Sequence, residues 1–464
     1  MILFFSNSEV IYGVQATNNF DVATLEKLKW LFGEAELIDA PQIEGLFIGP
    51  RREMITPWST NAVEITQNMG VEGILRIEQF TPASDVDVAF DKMLYRLYNG
   101  INQDIYTVDI KPKEVLFIDD IESYNIEQGL ALNSEEIEYL NGLSKKINRK
   151  LTDSEVFGFS QVNSEHCRHK IFNGQFVIDN EPKEKTLFGL IKDTTKAHPH
   201  GVVSAYKDNC AFLEGGKAEQ FAPATHDKPD FFETSDFESV ISIKAETHNF
   251  PTTVEPFNGA ATGTGGEIRD RIAGGKGAFP IAGTAIYMTS YPRNEEGKAW
   301  EEAIAPRKWL YQTPSDILIK ASNGASDFGN KFGQPLICGS LLTFEHEENN
   351  KKYGFDKVIM LAGGIGYGKK KDSLKDIPVP GEKVVLLGGD NYRIGMGGGA
   401  VSSVATGEYS GEIELNAVQR SNPEMQKRAY NAIRAISEEN DNPIVSIHDH
   451  GAGGHLNCLS ELVE

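Results

Sequence analysis

The stretch from Lys244 to Asp270 reads KAETHNFPTTVEPFNGAATGTGGEIRD, and it restricts what the chain can become more than any other segment. Ile241, Ile243 and Ala245 alternate with Ser242, Lys244 and Glu246. A period of two predicts a strand with successive side chains on opposite faces. Lys244, Glu246 and His248 then project from one face, so an ammonium, a carboxylate and an imidazole come within reach of one ligand. Pro251 ends the strand because it has no backbone donor. The run that follows, with glycines at 259, 263, 265 and 266, reads as a loop closing on Glu267, Arg269 and Asp270.

Consecutive N–H groups in a glycine-rich loop can form a concave nest for an anion. Arg269 can grip phosphate oxygens with two donors. Glu246 and Asp270 are the hard oxygen ligands that magnesium takes beside phosphates. The segment therefore predicts a site for a nucleotide and its metal. It has neither the GxxxxGK[ST] spacing of a P-loop nor the GxGxxG fingerprint of dinucleotide binding.

The formal charge of −22 over 464 residues argues against nucleic acid, which demands clustered Lys and Arg. The four cysteines, at 167, 210, 338 and 458, are scattered and fit neither a disulfide framework nor a zinc ribbon. The sequence holds no apolar run of roughly 18 residues and opens without a basic, cleavable leader, so a cytoplasmic location is expected.

In chain order, residues 1–117 read as a small α/β domain. MILFF, GLFIGP and VEGILRIEQF are its strands, with helices at ATLEKLKWLFG, after Pro57 with Ser59 or Thr60 as its cap, and from Ser84 or Asp85 through SDVDVAFDKMLYRLYNG. Residues 118–180 read as an acidic helical linker, with Asn133 and Glu136 opening one helix and Thr152 and Glu155 forming a capping box for the next. That second helix leads into QVNSEHCRHKIF, whose crowded polar groups suit a ligand better than a core; His166 and His169 or Lys170 are the candidates. Residues 180–238 read as a polar surface connector.

Residues 181–370 continue as one subdomain, with a helix and a buried strand in SDILIKASNGASDFGNKFGQPLICGSLLTF. A composition break at KKKDSLKDIPVPGE separates residues 371–464. There EKVVLLGGD predicts a buried strand, SNPEMQKRAYNAIRAIS a helix capped by Asn422 with Pro423 in its first turn, and PIVSIHDHGAGGH a strand delivering Asp449 as a metal carboxylate. The sequence stops at ELVE inside a predicted helix, so a longer protein is expected.

Taken together, QVNSEHCRHKIF, KAETHNFPTTVEPFNGAATGTGGEIRD, GMGGGAVSS, VQRSNPEMQKR and IHDHGAGG resemble phosphoribosylformylglycinamidine synthase, and PRREMITPWSTNAVEITQNMG resembles the N-terminal domain of its large, fused form. The resemblance implies a mixed α+β and α/β architecture. A small α/β domain, similar to the accessory subunit of the split enzymes, and a helical linker precede a half similar to aminoimidazole ribonucleotide synthetase. It implies a ligase that uses ATP and Mg2+ to convert formylglycinamide ribonucleotide to its amidine with glutamine-derived ammonia. A second synthetase-like half and a glutaminase domain would lie outside this chain, which alone is expected to be inactive.

Carried over by motif, His166 and His248 become the catalytic residues. Lys244 and the segment Gly259, Ala260, Ala261, Thr262, Gly263, Thr264, Gly265, Gly266, Glu267, Ile268, Arg269 and Asp270 contact ATP. Thr247, His248, Asn249, Phe250, Arg269 and Gln419 border the substrate, and Glu246, Asp270 and Asp449 hold magnesium. Two positions depart from the pattern: Phe250 stands where many members have a second histidine, and His169 where the small form has tyrosine. A selenophosphate or thiamine-phosphate kinase would share the glycine run but not SEHCRHK. A non-catalytic nucleotide-binding scaffold would need neither histidine; binding of formylglycinamide ribonucleotide discriminates among the three.

Overall fold

The computed structural model describes residues 1–7, 9–52, 55–88, 90, 95–108, 114–163, 169–293, 298–306, 312–388, 422–451 and 454–463. The chain divides into two compact units, Met1–Glu114 and Val115–Glu464. His166, Cys167 and Gln419 lie outside the described residues.

The first unit is a six-stranded sheet built from β1 (Ile2–Ser6), β2 (Ile11–Ala16), β3 (Glu36–Ile38), β4 (Gln42–Pro50), β5 (Ile74–Pro82) and β6 (Tyr95–Asn102), in the order β3-β1-β2-β5-β4-β6. Helices α1 (Val22–Leu31) and α2 (Pro57–Asn68) complete it. Adjacent residues of β1 feed different cores: Phe5 packs with Val14, Phe32 and Ile77, and Phe4 packs with Ile11, Phe47 and Phe80. Both faces are thus buried. Two expectations change here. Thr56, not Ser59 or Thr60, caps α2, accepting from the Ser59 N–H with Pro57 in the first turn. The helix expected from Ser84 is strand from Tyr95 onward, because pairing with β4 outweighs a helical spacing of apolar residues.

The second unit opens with α3 (Ile121–Gln128), α4 (Ser134–Lys146) and α5 (Asp153–Val162). The Asn133–Glu136 and Thr152–Glu155 capping boxes form as the sequence implies. A short hairpin of β7 (Val177–Ile178) and β8 (Glu181–Pro182) and then α6 (Leu187–Ala197) lead to the main sheet.

That sheet contains β9 (Val202–Ser204), β10 (Ala211–Pro223), β11 (Phe232–Thr247), β12 (Phe279–Thr289), β13 (Leu336–Thr343) and, after the hairpin β14 (Glu345–Glu348) and β15 (Lys351–Gly354), β16 (Ile359–Lys369). Its order is β13-β12-β16-β11-β10-β9. The segment 180–238, expected to be a surface connector, instead holds α6, β9, β10 and the first half of β11. A register shift between Glu214 and Gly216, with Gly216 at φ 86°, breaks the alternation that would have marked β10 in the sequence. β13 is an exposed edge strand rather than a buried one, since among the described residues it pairs with β12 alone.

Between β11 and β12 stand α7 (Asn249–Val254) and α8 (Pro256–Ile272); α9 (Pro314–Phe332) packs on α8, and α10 (Pro423–Ser437) and α11 (Gly454–Val463) follow. Asn422 caps α10 through the Met425 N–H, with Pro423 in the first turn, as its sequence predicts. Neither residues 382–388, the described part of EKVVLLGGD, nor residues 443–450 form strands: Val384 and Val385 are exposed, and neither segment has a ladder partner among the described residues.

The largest correction concerns the glycine run, which is a helix. The Glu255 carboxylate caps α8 by accepting from the Asn258 N–H, and Pro256 occupies the first turn. The glycines serve close packing. A Cβ on Gly259 would lie 2.4 Å from the Pro251 carbonyl, and one on Gly265 would lie 2.6 Å from the Phe328 ring. Helix interiors disfavour Gly by about 1 kcal/mol against Ala, so the sequence reads as a loop until those neighbours are known.

The helices cover one face of the main sheet. On the other, Ile241, Ile243 and Ile365 stand exposed, at 39%, 40% and 46%. The register places Ile243 opposite Ile365 and Ile241 beside Leu213. Thus β11 turns its apolar side outward and its polar side, from Ser242 to Glu246, toward the helices.

Candidate functional site

The polar side of β11 meets the last turn of α8. Lys244 lies two residues before Glu246 on the same face, and its ammonium is 3.1 Å from the Glu246 carboxylate and 3.0 Å from that of Asp270. Of the three groups that the period-two pattern set on one face, Lys244 and Glu246 meet here, and Asp270 joins them from α8. His248 follows at the strand end, half-buried; its N–H donates to the Met360 carbonyl at 3.0 Å, and its own carbonyl accepts from Thr252 Oγ1.

A second part of the cluster comes from far along the chain. Asn209 Nδ2 donates to Asp270 Oδ1 at 3.1 Å and to Asp449 Oδ1 at 2.9 Å. Arg269 reaches Asp449 at 3.3 Å and donates to Gln426 Oε1 at 3.1 Å, while Gln426 Nε2 donates to the Gly265 carbonyl. Asp449 is steadied from behind by His448, whose Nε2 is 2.6 Å from the Glu461 carboxylate on α11. Burial disfavours the His448 cation, but contacts with Cys458, Glu461 and Asp449 prevail and push its pKa up to about 10.

The electrostatics follow from this layout. Burial, and then repulsion from Asp449, push the Asp270 pKa up to about 6 against the pull of Lys244. For Lys244, burial acts downward, yet Asp270 and Glu246 outweigh it and hold the ammonium above the ordinary lysine value. Three carboxylates and two cations share the cluster, a formal excess of one negative charge.

Not all of the expected site residues face a ligand. Residues Gly259, Ala260, Ala261, Thr262, Gly263, Thr264, Gly265, Gly266, Glu267 and Ile268 do not form the phosphate nest, because they lie inside α8, where main-chain N–H groups past the first turn are taken by the helix itself. Glu267 is fully buried and turned away, held by Arg271 at 2.6 Å and by Gln334 Nε2 at 2.6 Å. Arg271, also fully buried, donates as well to the Ile365 carbonyl at 2.6 Å. What α8 offers the cluster is the side with half-buried Gly266 and Arg269 and, beside them, buried Asp270.

Phe250 is buried beneath Lys357, so its side chain cannot border a substrate. Asn249 Oδ1 accepts from the Met360 N–H and is occupied in the fold, whereas Thr247 is exposed at the end of β11. His169 stacks on Phe188 at 5.8 Å. Sequence reasoning missed Asn209, Gln426 and Lys375, whose roles depend on contacts 61 or more residues away.

Three family models match the chain in order: formylglycinamide ribonucleotide amidotransferase N-terminal at residues 9–92, the linker domain of the same amidotransferase at 121–170, and AIR synthase related protein, C-terminal domain, at 379–464. A curated relative from Arabidopsis thaliana, probable phosphoribosylformylglycinamidine synthase, chloroplastic/mitochondrial, is 35% identical over 477 aligned residues. The chain is similar to the phosphoribosylformylglycinamidine synthases. The match takes in 95% of this chain and 34% of the Arabidopsis protein, so the chain spans about a third of that synthase's length. Among solved structures, T. maritima PurL complexed with FGAR is 24% identical, covers 70% of this chain and 41% of that one, and has a TM-score of 0.44. T. maritima PurL complexed with ATP is 22% identical, with coverage of 70% and 40% and a TM-score of 0.40.

Proposed function

We propose that the chain supplies part of the synthetase site of an ATP-dependent carbon–nitrogen ligase that converts formylglycinamide ribonucleotide to its amidine, with glutamine as amido donor. The observation that carries this reading is the Lys244 junction: one ammonium joins Glu246 of β11 to Asp270 of α8, inside the KAETHN and EIRD motifs typical of the synthases. In the whole enzyme His248 manages a proton at the amide, and His166 and Gln419 act from the motifs they occupy.

Magnesium fits the residues present. Among the described residues no three donors converge into a ready metal cage. Mg2+ is commonly held by one or two carboxylates together with substrate phosphates rather than by an all-protein cage. The excess negative charge at Asp270 and Asp449 provides for such an ion, with Glu246 alongside. When bound with ATP, the metal neutralises charge on the phosphates. Lys244 and Arg269 orient the nucleotide, and the Asp270 and Asp449 carboxylates stay fixed while it binds.

The test uses the full-length enzyme that contains this chain, with amidine formation and ligand binding both measured. His248→Ala is expected to lower turnover by about 10² to 10⁴ while formylglycinamide ribonucleotide still binds. Near-normal turnover removes His248 from the chemistry. ATP binding by the unsubstituted enzyme without ribonucleotide binding or amidine formation would overturn the ligase reading in favour of a nucleotide-binding scaffold.

A further inference from the structure

One residue with no part in the sequence motifs holds the two sides of this cluster together. Asn209 lies just before β10, and its amide nitrogen is shared between Asp270 on α8 and Asp449 on the segment 442–451. An amide can be placed either way round, since its oxygen and nitrogen differ little in size. Here the choice is made by Lys375. Its ammonium donates to Asn209 Oδ1 at 3.0 Å and pairs with Asp208 Oδ1 at 2.6 Å. Asp208 is itself tied down, since its Oδ2 accepts from the Gly275 N–H at 2.7 Å.

With a cation on the oxygen side, the nitrogen must face the carboxylates. Two carboxylates held this close repel each other. Both are nevertheless kept within about 3 Å of one donor nitrogen. Asp208, Lys375 and Asn209 thus form a chain of charge-assisted contacts ending on two candidate metal ligands, the arrangement by which neighbours of metal-binding carboxylates orient them.

We propose that Asn209 is the positioning residue that sets the spacing of Asp270 and Asp449 for a divalent ion, with Lys375 fixing the direction of its amide. This rests on the metal reading given above. Asn209 touches neither substrate nor nucleotide; it acts through the two carboxylates.

The experiment measures Mn2+ binding to the full chain in the presence of ATP, by loss of the free-ion signal in electron paramagnetic resonance, with circular dichroism to verify the fold. Asn209→Leu keeps the volume and removes both donors, and it is expected to weaken Mn2+ binding about 10- to 100-fold, the range for lost partners of metal ligands. Lys375→Met is expected to weaken it less, and Lys375→Arg, which keeps a donor, to restore it. A purely structural role for Lys375 would not separate Met from Arg at equal melting temperature.

Wild-type affinity in Asn209→Leu overturns the inference. If that variant does not fold, the Lys375 pair decides: equal affinities in Met and Arg overturn it. Absence of Mn2+ binding in the unsubstituted chain instead overturns the metal reading on which the inference stands.

Discussion

The two six-stranded sheets differ in how they spend their faces. In the first unit, neighbouring β1 residues Phe4 and Phe5 enter separate cores, and the sheet is buried on both sides. In the second, β11 gives its polar side to the helices and leaves Ile241 and Ile243 in solvent. Alternation usually means apolar side in and polar side out. The second sheet inverts that rule because its inward face carries Lys244 and Glu246, which need Asp270 of α8. A sheet can cover a site on one face and still need an apolar cover on the other, and exposed apolar patches of this kind mark contact surfaces.

The comparison can be broken most strongly at Arg271. It is fully buried with Glu267 and ties α8 to β16, so Arg271→Met leaves a buried carboxylate unpaired. Loss of one partner of a buried pair costs about 3–5 kcal/mol. In urea, the transition of the second unit should move by that amount and the first unit's should stay; coincident shifts would mean that the units do not melt independently.

A smaller effect is expected at Gly265. Added to an exposed helix, a methyl would stabilise, but here it meets the Phe328 ring, and overpacking costs about 1–3 kcal/mol. Gly265→Ala should lower the melting temperature of the second unit. An unchanged or raised value would mean that α8 and α9 are less closely packed than described.

The smallest effect sharpens the comparison. Ile365→Thr, on the bare face, should change the stability of the isolated chain by no more than about 0.5 kcal/mol, the usual range for surface positions. A loss of several kcal/mol in chemical denaturation would show that this face is covered in solution, and the contrast between the sheets would fall.

What the sequence disclosed was mostly local. The capping boxes at Asn133 and Thr152 and the Asn422 cap could be read because donor and acceptor lie three residues apart. Lys244 and Glu246 could be placed on one face because strand period is fixed. The glycine helix could not be read, since its favourable terms come from Pro251 and Phe328 rather than from its own residues. Asp449 came within view as the end of a strand read from PIVSIHDHGAGGH, although residues 443–450 are not strand. Asn209 had no local mark, as all three of its side-chain contacts are to residues 61 to 240 positions away.

The clamp at Arg271 has a mechanical consequence. Asp270 sits between Arg269 and Arg271 on α8, and a helix able to turn about its axis would carry Asp270 away from Lys244. Arg271 opposes that: Glu267 on its own helix holds the guanidinium in place while it donates to the Ile365 carbonyl on a sheet strand, so rotation or a one-turn slide would break the bond to Ile365. Asp449 belongs to residues 442–451, which have no ladder partner among the described residues and are held at points such as the Asp376 N–H on the Val445 carbonyl. The two jaws of the cluster are thus set by different means: Asp270 by the clamped helix that carries it, Asp449 by Asn209 and Arg269 reaching across to it.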